Sequence, residues 1–183
     1  MEIKGKVTII TSASMGIGLV TARMLSQNGA KLVLVARSKE KLDALAAQLP
    51  DAFVVAADVS KVDEVKRMVK AAADHFGRVD VLVNNVGVGY DAPVLKIDPK
   101  IFHYIFDLDV LGQLVAIQEV VPYMRKQGGG AIVNVSSGLA LMHMEGMGGY
   151  AAVESGACSP EPYGERGTKR RQHNSQRTVP LHN

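Results

Sequence analysis

The chain has 183 residues, 47% of them apolar and 5% aromatic, and it contains no tryptophan. This length allows one domain with a substantial core, and an aliphatic composition is typical of α/β proteins. Residues 155–183 contain five basic and two acidic residues, so they account for the whole net charge of +3. The balanced charge of the first 154 residues argues against a nucleic-acid-binding domain, and the short basic run at 169–171 is weak evidence for one.

Cysteine and histidine usage excludes several other kinds of site. Cys158 is the only cysteine, which rules out an internal disulfide and a cysteine-based zinc site. The five histidines are scattered, with none at the i, i+4 spacing of metal ligands, so we predict no metal site. The amino terminus has no apolar signal core, and no apolar run reaches membrane-spanning length. We therefore expect a cytoplasmic protein without a membrane partner.

The first predicted element is a buried strand at Val7 to Ile10, a short run of β-branched residues. Small residues occupy 11–18, and apolar residues then recur at helical spacing. A strand that leads through a small-residue loop into a helix places backbone N–H groups where an anion can bind. A dinucleotide pyrophosphate would fit such a loop, and an ordinary βα turn with glycines for tight packing would explain the same pattern.

Four more strands alternate with helices along the chain. They are predicted at 31–36, 52–57, 79–83 and 131–135. Their apolar character indicates a parallel sheet covered on both faces, an α/β fold that is doubly wound with strand order 3-2-1-4-5. The ligand crevice of such a sheet lies at the carboxyl ends of the first and fourth strands. A long helix predicted over about 99–126 is apolar on more than one side, which suggests a second cover such as another subunit.

Several of the loops at that edge carry recognisable motifs. They are TSASMGIG at 11–18, Asp58-Val59, NNVG at 84–87, a serine pair at 136–137, and Tyr150. In this order and spacing, residues 3–154 resemble the classical short-chain dehydrogenase/reductase family. The resemblance implies a Rossmann-like fold and hydride transfer between a nicotinamide cofactor and a carbonyl or alcohol as small-molecule substrate.

The resemblance also implies a cofactor site. Its glycine-rich loop would approach the phosphates, Asp58 and Val59 the adenine, and Asn84 and Gly87 the adenosine ribose. Arg37 stands where a 2′-phosphate would bind, and Ala36 replaces the aspartate of many NAD-preferring relatives, so NADP(H) is favoured over NAD(H). A solvated charge at Arg37 and a turn or helix cap at Asp58 are the alternatives. The full predicted set is Thr11, Ser12, Ser14, Gly16, Ile17, Gly18, Arg37, Asp58, Val59, Asn84 and Gly87.

Ser137 and Tyr150 are thirteen positions apart, the spacing of the catalytic serine and tyrosine in the family. The family role of the tyrosine is to exchange a proton with the substrate oxygen, which the serine holds, and this requires a phenol pKa lowered from about 10. A helix-capping serine and a packed tyrosine are the alternatives.

Three site residues depart from the family pattern. Ser12 replaces a glycine, which matters most if the turn needs a positive φ. Asp109 stands at the position of an asparagine that supports a proton relay, and it adds negative charge. Glu154 replaces the lysine that lowers the tyrosine pKa. An ionised glutamate raises that pKa instead, so we expect activity lower by several powers of ten.

The resemblance ends near residue 154. Residues 155–183 contain three prolines and few apolar residues, a composition typical of a disordered basic tail. We expect an out-of-frame translation or a truncation after residue 154, a fold without the last two strands of the family, and doubtful formation of the family's homo-oligomer. The predicted function is an impaired NADP(H)-dependent oxidoreductase. A nucleotide-binding module without catalysis and a non-functional product are the alternatives.

Overall fold

A computed structural model describes residues 2–142, 144 and 146–157. Of the predicted tail at 155–183, residues 155–157 belong to the last described helix, and residues 158–183 lie outside the described residues. The five strands are β1 (Val7–Thr11), β2 (Lys31–Ala36), β3 (Ala52–Ala56), β4 (Val81–Asn84) and β5 (Ala131–Asn134). The six helices are α1 (Gly16–Gln27), α2 (Lys39–Ala46), α3 (Val62–Phe76), α4 (Pro99–Phe106), α5 (Gly112–Lys126) and α6 (Gly148–Ala157).

All five strands form one parallel sheet in the order β3-β2-β1-β4-β5. This confirms the predicted doubly wound topology. Ile9 on β1 lies opposite Val33 on β2 and Leu82 on β4, which fixes the register of the central strands. The predicted bounds of β2 match the observed ones, and those of the other strands differ by one or two residues, as at β4, which begins at Val81. The loops that follow the strands open on one edge of the sheet.

Each face of the sheet carries its own apolar layer. Ile9, Val33 and Val35 pack with residues of α3 and α5. Ile10, Leu32 and Leu34 form the second layer with residues of α1 and α2. Because both faces are covered, neither needs polar side chains, and this is why the strands are continuous apolar runs in the sequence. No described helix has the length and apolar character needed to cross a bilayer.

The long predicted helix is interrupted. A π-helical segment, Asp107–Leu111, separates α4 from α5. At Gly112, just after this segment, a Cβ atom would lie 2.2 Å from the carbonyl oxygen of Val59, so the helix passes directly against the loop after β3. Phe106 and Leu114 stay 41% and 48% exposed. A second subunit over these residues remains a prediction.

The carboxylate of Asp80 joins the amino ends of the central strands. It accepts hydrogen bonds from the Val7 N–H at 3.0 Å and from Arg78 at 2.8 and 2.6 Å. Lys6 Nζ lies 3.5 Å away, and Gln127 donates to Oδ1 at 3.3 Å. Burial alone would raise the pKa of the Asp80 carboxyl, but the hydrogen bonds from Arg78 and Val7 and the nearby positive charges bring it below its ordinary value.

We predict that Asp80→Ala lowers the free energy of unfolding by about 3 kcal/mol at neutral pH, because it leaves buried donors unpaired. Since the native pKa is lowered, the stabilisation by this carboxylate is present above its unfolded-state pKa and is lost as the pH falls through the native value. Denaturant melts should therefore show a smaller difference between variant and parent in acid than at neutral pH.

The matched control is Asp74→Ala, which removes an exposed ion pair with Lys70 on α3. It should leave the unfolding midpoint nearly unchanged. Equal losses for the two variants would contradict the role assigned to Asp80.

Candidate active site

The loop after β1 turns sharply before α1 begins. Ser12 has a φ of 53° and Gly16 a φ of 54°, both in the left-handed region. A residue with a Cβ adopts this region at a cost of about 1 to 2 kcal/mol. Ser12 therefore replaces glycine at a position where glycine would be unstrained. This is the case in which we expect the replacement to matter most, because φ is positive.

Gly18 allows α1 to approach that turn closely. A Cβ atom at Gly18 would lie 2.3 Å from the carbonyl oxygen of Ser12 and 2.7 Å from Nδ2 of Asn85. A backbone oxygen cannot move away as a flexible side chain can. Gly18 is accordingly buried, whereas Gly16 and Ile17 are exposed and Ser14 is half-buried at the mouth of the loop.

Thr11 and Asn85 hold the loops after β1 and β4 together. Thr11 Oγ1 accepts hydrogen bonds from the backbone N–H groups of Asn85 at 2.9 Å and Val86 at 3.3 Å. Asn85 Nδ2 donates to the Thr11 carbonyl at 3.2 Å. Thr11 is 2% exposed, so its side chain connects strands and does not line the crevice. Sequence reasoning missed Asn85, because the NNVG motif directed attention to Asn84 and Gly87.

Asn84 is also engaged within the sheet. Its Nδ2 donates to Oδ1 of Asn134 at 2.9 Å, at the paired ends of β4 and β5. Gly87 follows in an exposed stretch, and a Cβ there would meet no atom within 4 Å. The same open space surrounds the Cβ positions of Gly16 and Gly138, which follow β1 and β5. The backbone near three strand ends therefore borders open space, on the edge where the predicted crevice lies.

Arg37 leaves the end of β2 as an exposed cation. Its Nη1 donates to the hydroxyl of Tyr104, on α4, at 3.2 Å. Among the described residues, no carboxylate forms an ion pair with it. Tyr104 was not predicted as a site residue, since nothing in its local sequence distinguishes it from other residues of the helix.

Asp58 forms a turn with its own neighbours. Its Oδ1 accepts hydrogen bonds from the N–H of Ser60 at 3.0 Å and from the Ser60 hydroxyl at 2.8 Å. The backbone N–H of Asp58 donates to Glu64 Oε2 at 2.8 Å. This is the turn that the sequence left open as an alternative. Val59 is 7% exposed and lies against Gly112.

Glu154 is built into the loop that follows β5. The residue is 4% exposed. Its Oε2 accepts hydrogen bonds from the Ser136 hydroxyl at 2.6 Å and from the Ser137 N–H at 2.9 Å. Ser137 Oγ in turn accepts from the N–H of Leu139 at 3.2 Å and caps a short 3₁₀ turn. Glu154 therefore fastens α6 to the end of the sheet.

Tyr150 lies half-buried on α6, one turn before Glu154. Burial raises the pKa of the Tyr150 phenol to about 12, and the hydrogen bond and charge of Glu154 push in the same direction. A hydrogen bond with Ser137 opposes this rise, and the charge of Asp109 adds a little to it. Because Ser137 and Glu154 both act on this pKa, the three side chains lie near one another. Glu154 acts on the tyrosine pKa in the direction predicted from sequence, although burial is the larger cause.

Asp109 lies within the π-helical segment and is 1% exposed. Burial raises the pKa of its carboxyl to about 7. The hydrogen bond from the Val88 N–H, at 3.3 Å, opposes the rise, and the charge of Glu154 adds to it. Asp109 Oδ1 and Gln113 Oε1 are buried with no hydrogen-bond partner among the described residues. Protonation of Asp109 therefore removes the repulsion between its carboxylate and that of Glu154 in a poorly solvated place.

The arrangement supplies two hydroxyls and two carboxylates at the carboxyl end of β5. Over the described part of the chain, neither Asp109 nor Glu154 forms a salt bridge, and no group of three or more His, Cys, Asp or Glu residues is placed to hold a metal ion. The site can donate hydrogen bonds to a ligand oxygen, and none of its described residues is a cation that could stabilise a phenolate.

The doubly wound sheet with a small-residue loop after β1 and a serine–tyrosine pair after β5 defines a Rossmann-type α/β domain. Residues 6–159 match the family model for short chain dehydrogenases. The chain belongs to the short-chain dehydrogenase family.

Curated relatives support this assignment over part of their length. An uncharacterized oxidoreductase of Staphylococcus epidermidis is 38% identical over 137 residues, which cover 74% of this chain and 60% of the relative. The 3-oxoacyl-[acyl-carrier-protein] reductase of Thermotoga maritima is 37% identical over 162 residues, or 85% of this chain and 65% of the relative. The chain thus spans about three fifths of the length of the curated relatives it matches.

Solved structures share the fold. An alcohol dehydrogenase from the archaeon Thermococcus sibiricus, complexed with 5-hydroxy-NADP, superposes with a TM-score of 0.81 at 31% identity, covering 84% of this chain and 67% of that one. Levodione reductase superposes with a TM-score of 0.80 at 32% identity, covering 84% and 62%.

We predict that Gly18→Ala lowers the free energy of unfolding by at least about 2 kcal/mol, because the new Cβ would overlap the Ser12 carbonyl. Gly87→Ala, where the added atom meets open space, should change it by less than about 0.5 kcal/mol. Denaturant melts of both variants measure the difference. Similar midpoints for the two would show that the loop tolerates a side chain at Gly18.

We also predict that Glu154→Gln lowers the pKa of the Tyr150 phenol. Glutamine keeps an acceptor for Ser136 and Ser137 but removes the charge, while burial keeps the pKa above its ordinary value. The pKa is read from tyrosinate absorbance as the difference between each protein and its Tyr150→Phe partner, over the pH range in which circular dichroism stays native. Glu40→Gln, at an exposed position of α2, should change nothing. A higher or unchanged pKa in Glu154→Gln would contradict the prediction.

Proposed function

We propose that residues 1–154 form an NADP(H)-binding domain of an oxidoreductase that interconverts a carbonyl and an alcohol, and that turnover in this chain is impaired. The observation that carries the proposal is the contact between Ser137, Tyr150 and Glu154 beside the open crevice. A small carbonyl or alcohol compound is the proposed substrate. The names of the relatives agree with carbonyl–alcohol chemistry, since they include a 3-oxoacyl-[acyl-carrier-protein] reductase and an alcohol dehydrogenase.

The crevice residues suit a dinucleotide. Glycines at the ends of β1, β4 and β5 leave room along the backbone. The amino end of α1, which begins at Gly16, directs backbone N–H groups toward an anion in that space. Arg37 has no carboxylate partner among the described residues, so its charge is available for a 2′-phosphate. These features favour NADP(H) over NAD(H).

The chain's own residues would manage the substrate oxygen and its proton. When bound, NADP(H) supplies the hydride for reduction. Ser137 and the Tyr150 phenol present two hydroxyl groups to one oxygen atom, which orients a carbonyl. Tyr150 then gives its proton to that oxygen as negative charge develops on it.

Glu154 opposes this proton transfer. A phenol with a pKa of about 12 forms about a hundredfold less phenolate at neutral pH than one at the ordinary value near 10. It is also a weaker acid in the reduction direction. Because a catalytic tyrosine needs its pKa lowered, the negative charge of Glu154 acts in the wrong direction, and we expect rates lower by several powers of ten.

A nucleotide-binding module without catalysis is the second candidate. The hydrogen bonds of Glu154 to Ser136 and Ser137 favour it, since they give the carboxylate a structural place in the loop. Both candidates require cofactor binding, and they differ only in turnover.

Thermal melts of the purified chain with excess NADPH or NADH test the binding. We expect both to raise the melting temperature, NADPH more than NADH, because only the native state binds. Carbonyl reduction by the chain should lie several powers of ten below family rates and fall further in Tyr150→Phe, which removes the proposed proton donor. A melt unaffected by either cofactor would refute the binding proposal. Family-level reduction that disappears in Tyr150→Phe would refute the impairment.

A further inference from the structure

One hydrogen bond joins two distant parts of the chain at the rim of the crevice. Arg37 Nη1, after β2, donates to the hydroxyl of Tyr104, on α4, at 3.2 Å, and 67 residues separate the two. The Tyr104 ring is 37% exposed, so the contact lies at the surface and within reach of a ligand.

The backbone on both sides places Arg37 between two site loops. Ala13, in the loop after β1, donates its N–H to the Val35 carbonyl at 3.0 Å. Ala57, after β3, donates to the Ala36 carbonyl at 3.0 Å. Arg37 therefore emerges between the loop proposed to bind phosphates and the loop proposed to bind adenine.

Tyr104 restrains the guanidinium without neutralising it. The neighbouring Lys39 is paired with the Asp43 carboxylate at 2.7 Å, which satisfies its charge. A phenol oxygen accepts an N–H but carries no charge, so Arg37 keeps its full positive charge. The guanidinium has five N–H donors. One hydrogen bond to Tyr104 leaves the other donors for a bidentate contact with a phosphate. An arginine side chain otherwise loses up to about 2 kcal/mol of rotamer entropy when a ligand fixes it.

We infer that Tyr104 is a positioning residue for cofactor specificity, which holds the Arg37 guanidinium where the 2′-phosphate of NADP(H) binds. This inference rests on the proposed function. It assigns a role to a hydroxyl that would touch no reacting atom, and it makes the choice between the two cofactors depend on α4 as well as on the loop after β2.

Calorimetric titration of the full chain with NADPH and with NADH tests it. Tyr104→Phe keeps the ring and removes the hydroxyl, and it should weaken NADPH binding about fivefold, the worth of one hydrogen bond, while NADH binding stays unchanged. Arg37→Ala should weaken NADPH binding more. The double variant should bind NADPH no more weakly than Arg37→Ala, because Tyr104 acts only through the arginine. Tyr123→Phe, on α5 at the far end of the sheet, is the matched control and should bind as the parent does.

The outcomes separate the inference from the proposal beneath it. If Arg37→Ala loses the NADPH preference but Tyr104→Phe keeps it, the inference is wrong and the proposed NADP(H) site stands. A similar loss of NADH binding in Tyr104→Phe would also overturn the inference, since it would show a general structural effect. If the parent does not prefer NADPH, or Arg37→Ala leaves the preference intact, both fail.

Discussion

A single buried residue, Asp80, joins the amino ends of three strands through its carboxylate and its backbone. Its side chain binds the Val7 N–H, its own N–H donates to the Val7 carbonyl at 2.9 Å, and its carbonyl accepts from Ala131 at 2.9 Å. The amino ends of β1, β4 and β5 are thereby held in one register. Because short parallel strands are stiff, this also sets the opposite edge, roughly 15 Å away, where Thr11 and Asn85 join the next pair of loops. The positions of the loops around the crevice therefore depend in part on Asp80, which lies at the opposite edge of the sheet.

The most consequential residue of the site is Glu154, a buried carboxylate whose hydrogen bonds fit the surrounding loop. Glu154 accepts two hydrogen bonds, from Ser136 and from the Ser137 backbone, and it anchors α6 to the sheet. The contacts that stabilise the loop also place a negative charge beside Tyr150. The loop geometry suits the Glu154 carboxylate, whereas the proposed proton transfer requires a Tyr150 pKa lower than burial and this charge leave it. The charge of Asp109, a second buried carboxyl, also raises the pKa of Tyr150 a little.

Sequence reasoning reached the topology because it depends on repeated, redundant signals. Apolar runs and the glycines at strand ends each indicate the same doubly wound sheet, and the motif positions follow from it. It did less well where one contact decides. The carboxylate of Asp58 closes a turn on Ser60, which the sequence had left open as an alternative. Asn85, and not the adjacent Asn84, bridges to β1. The contact between Arg37 and Tyr104 depends on how α4 crosses the end of β2. No local pattern encodes such a crossing, because it results from packing between elements far apart in sequence.

The π-helical segment between α4 and α5 changes the direction in which the apolar side of the helix faces. A single turn of π-helix is equivalent to one extra residue in an α-helix, and each residue turns the helix by about 100°. The apolar stripe of α4 can therefore point toward α6 while that of α5 points toward α3, within what is otherwise one rod. Removing one residue from Asp107–Leu111 would rotate one half against the other by that angle. The half that carries Tyr104 would then turn away from Arg37, although neither residue had changed. The number of residues in this π-helical segment therefore helps to determine where Tyr104 lies at the rim of the crevice.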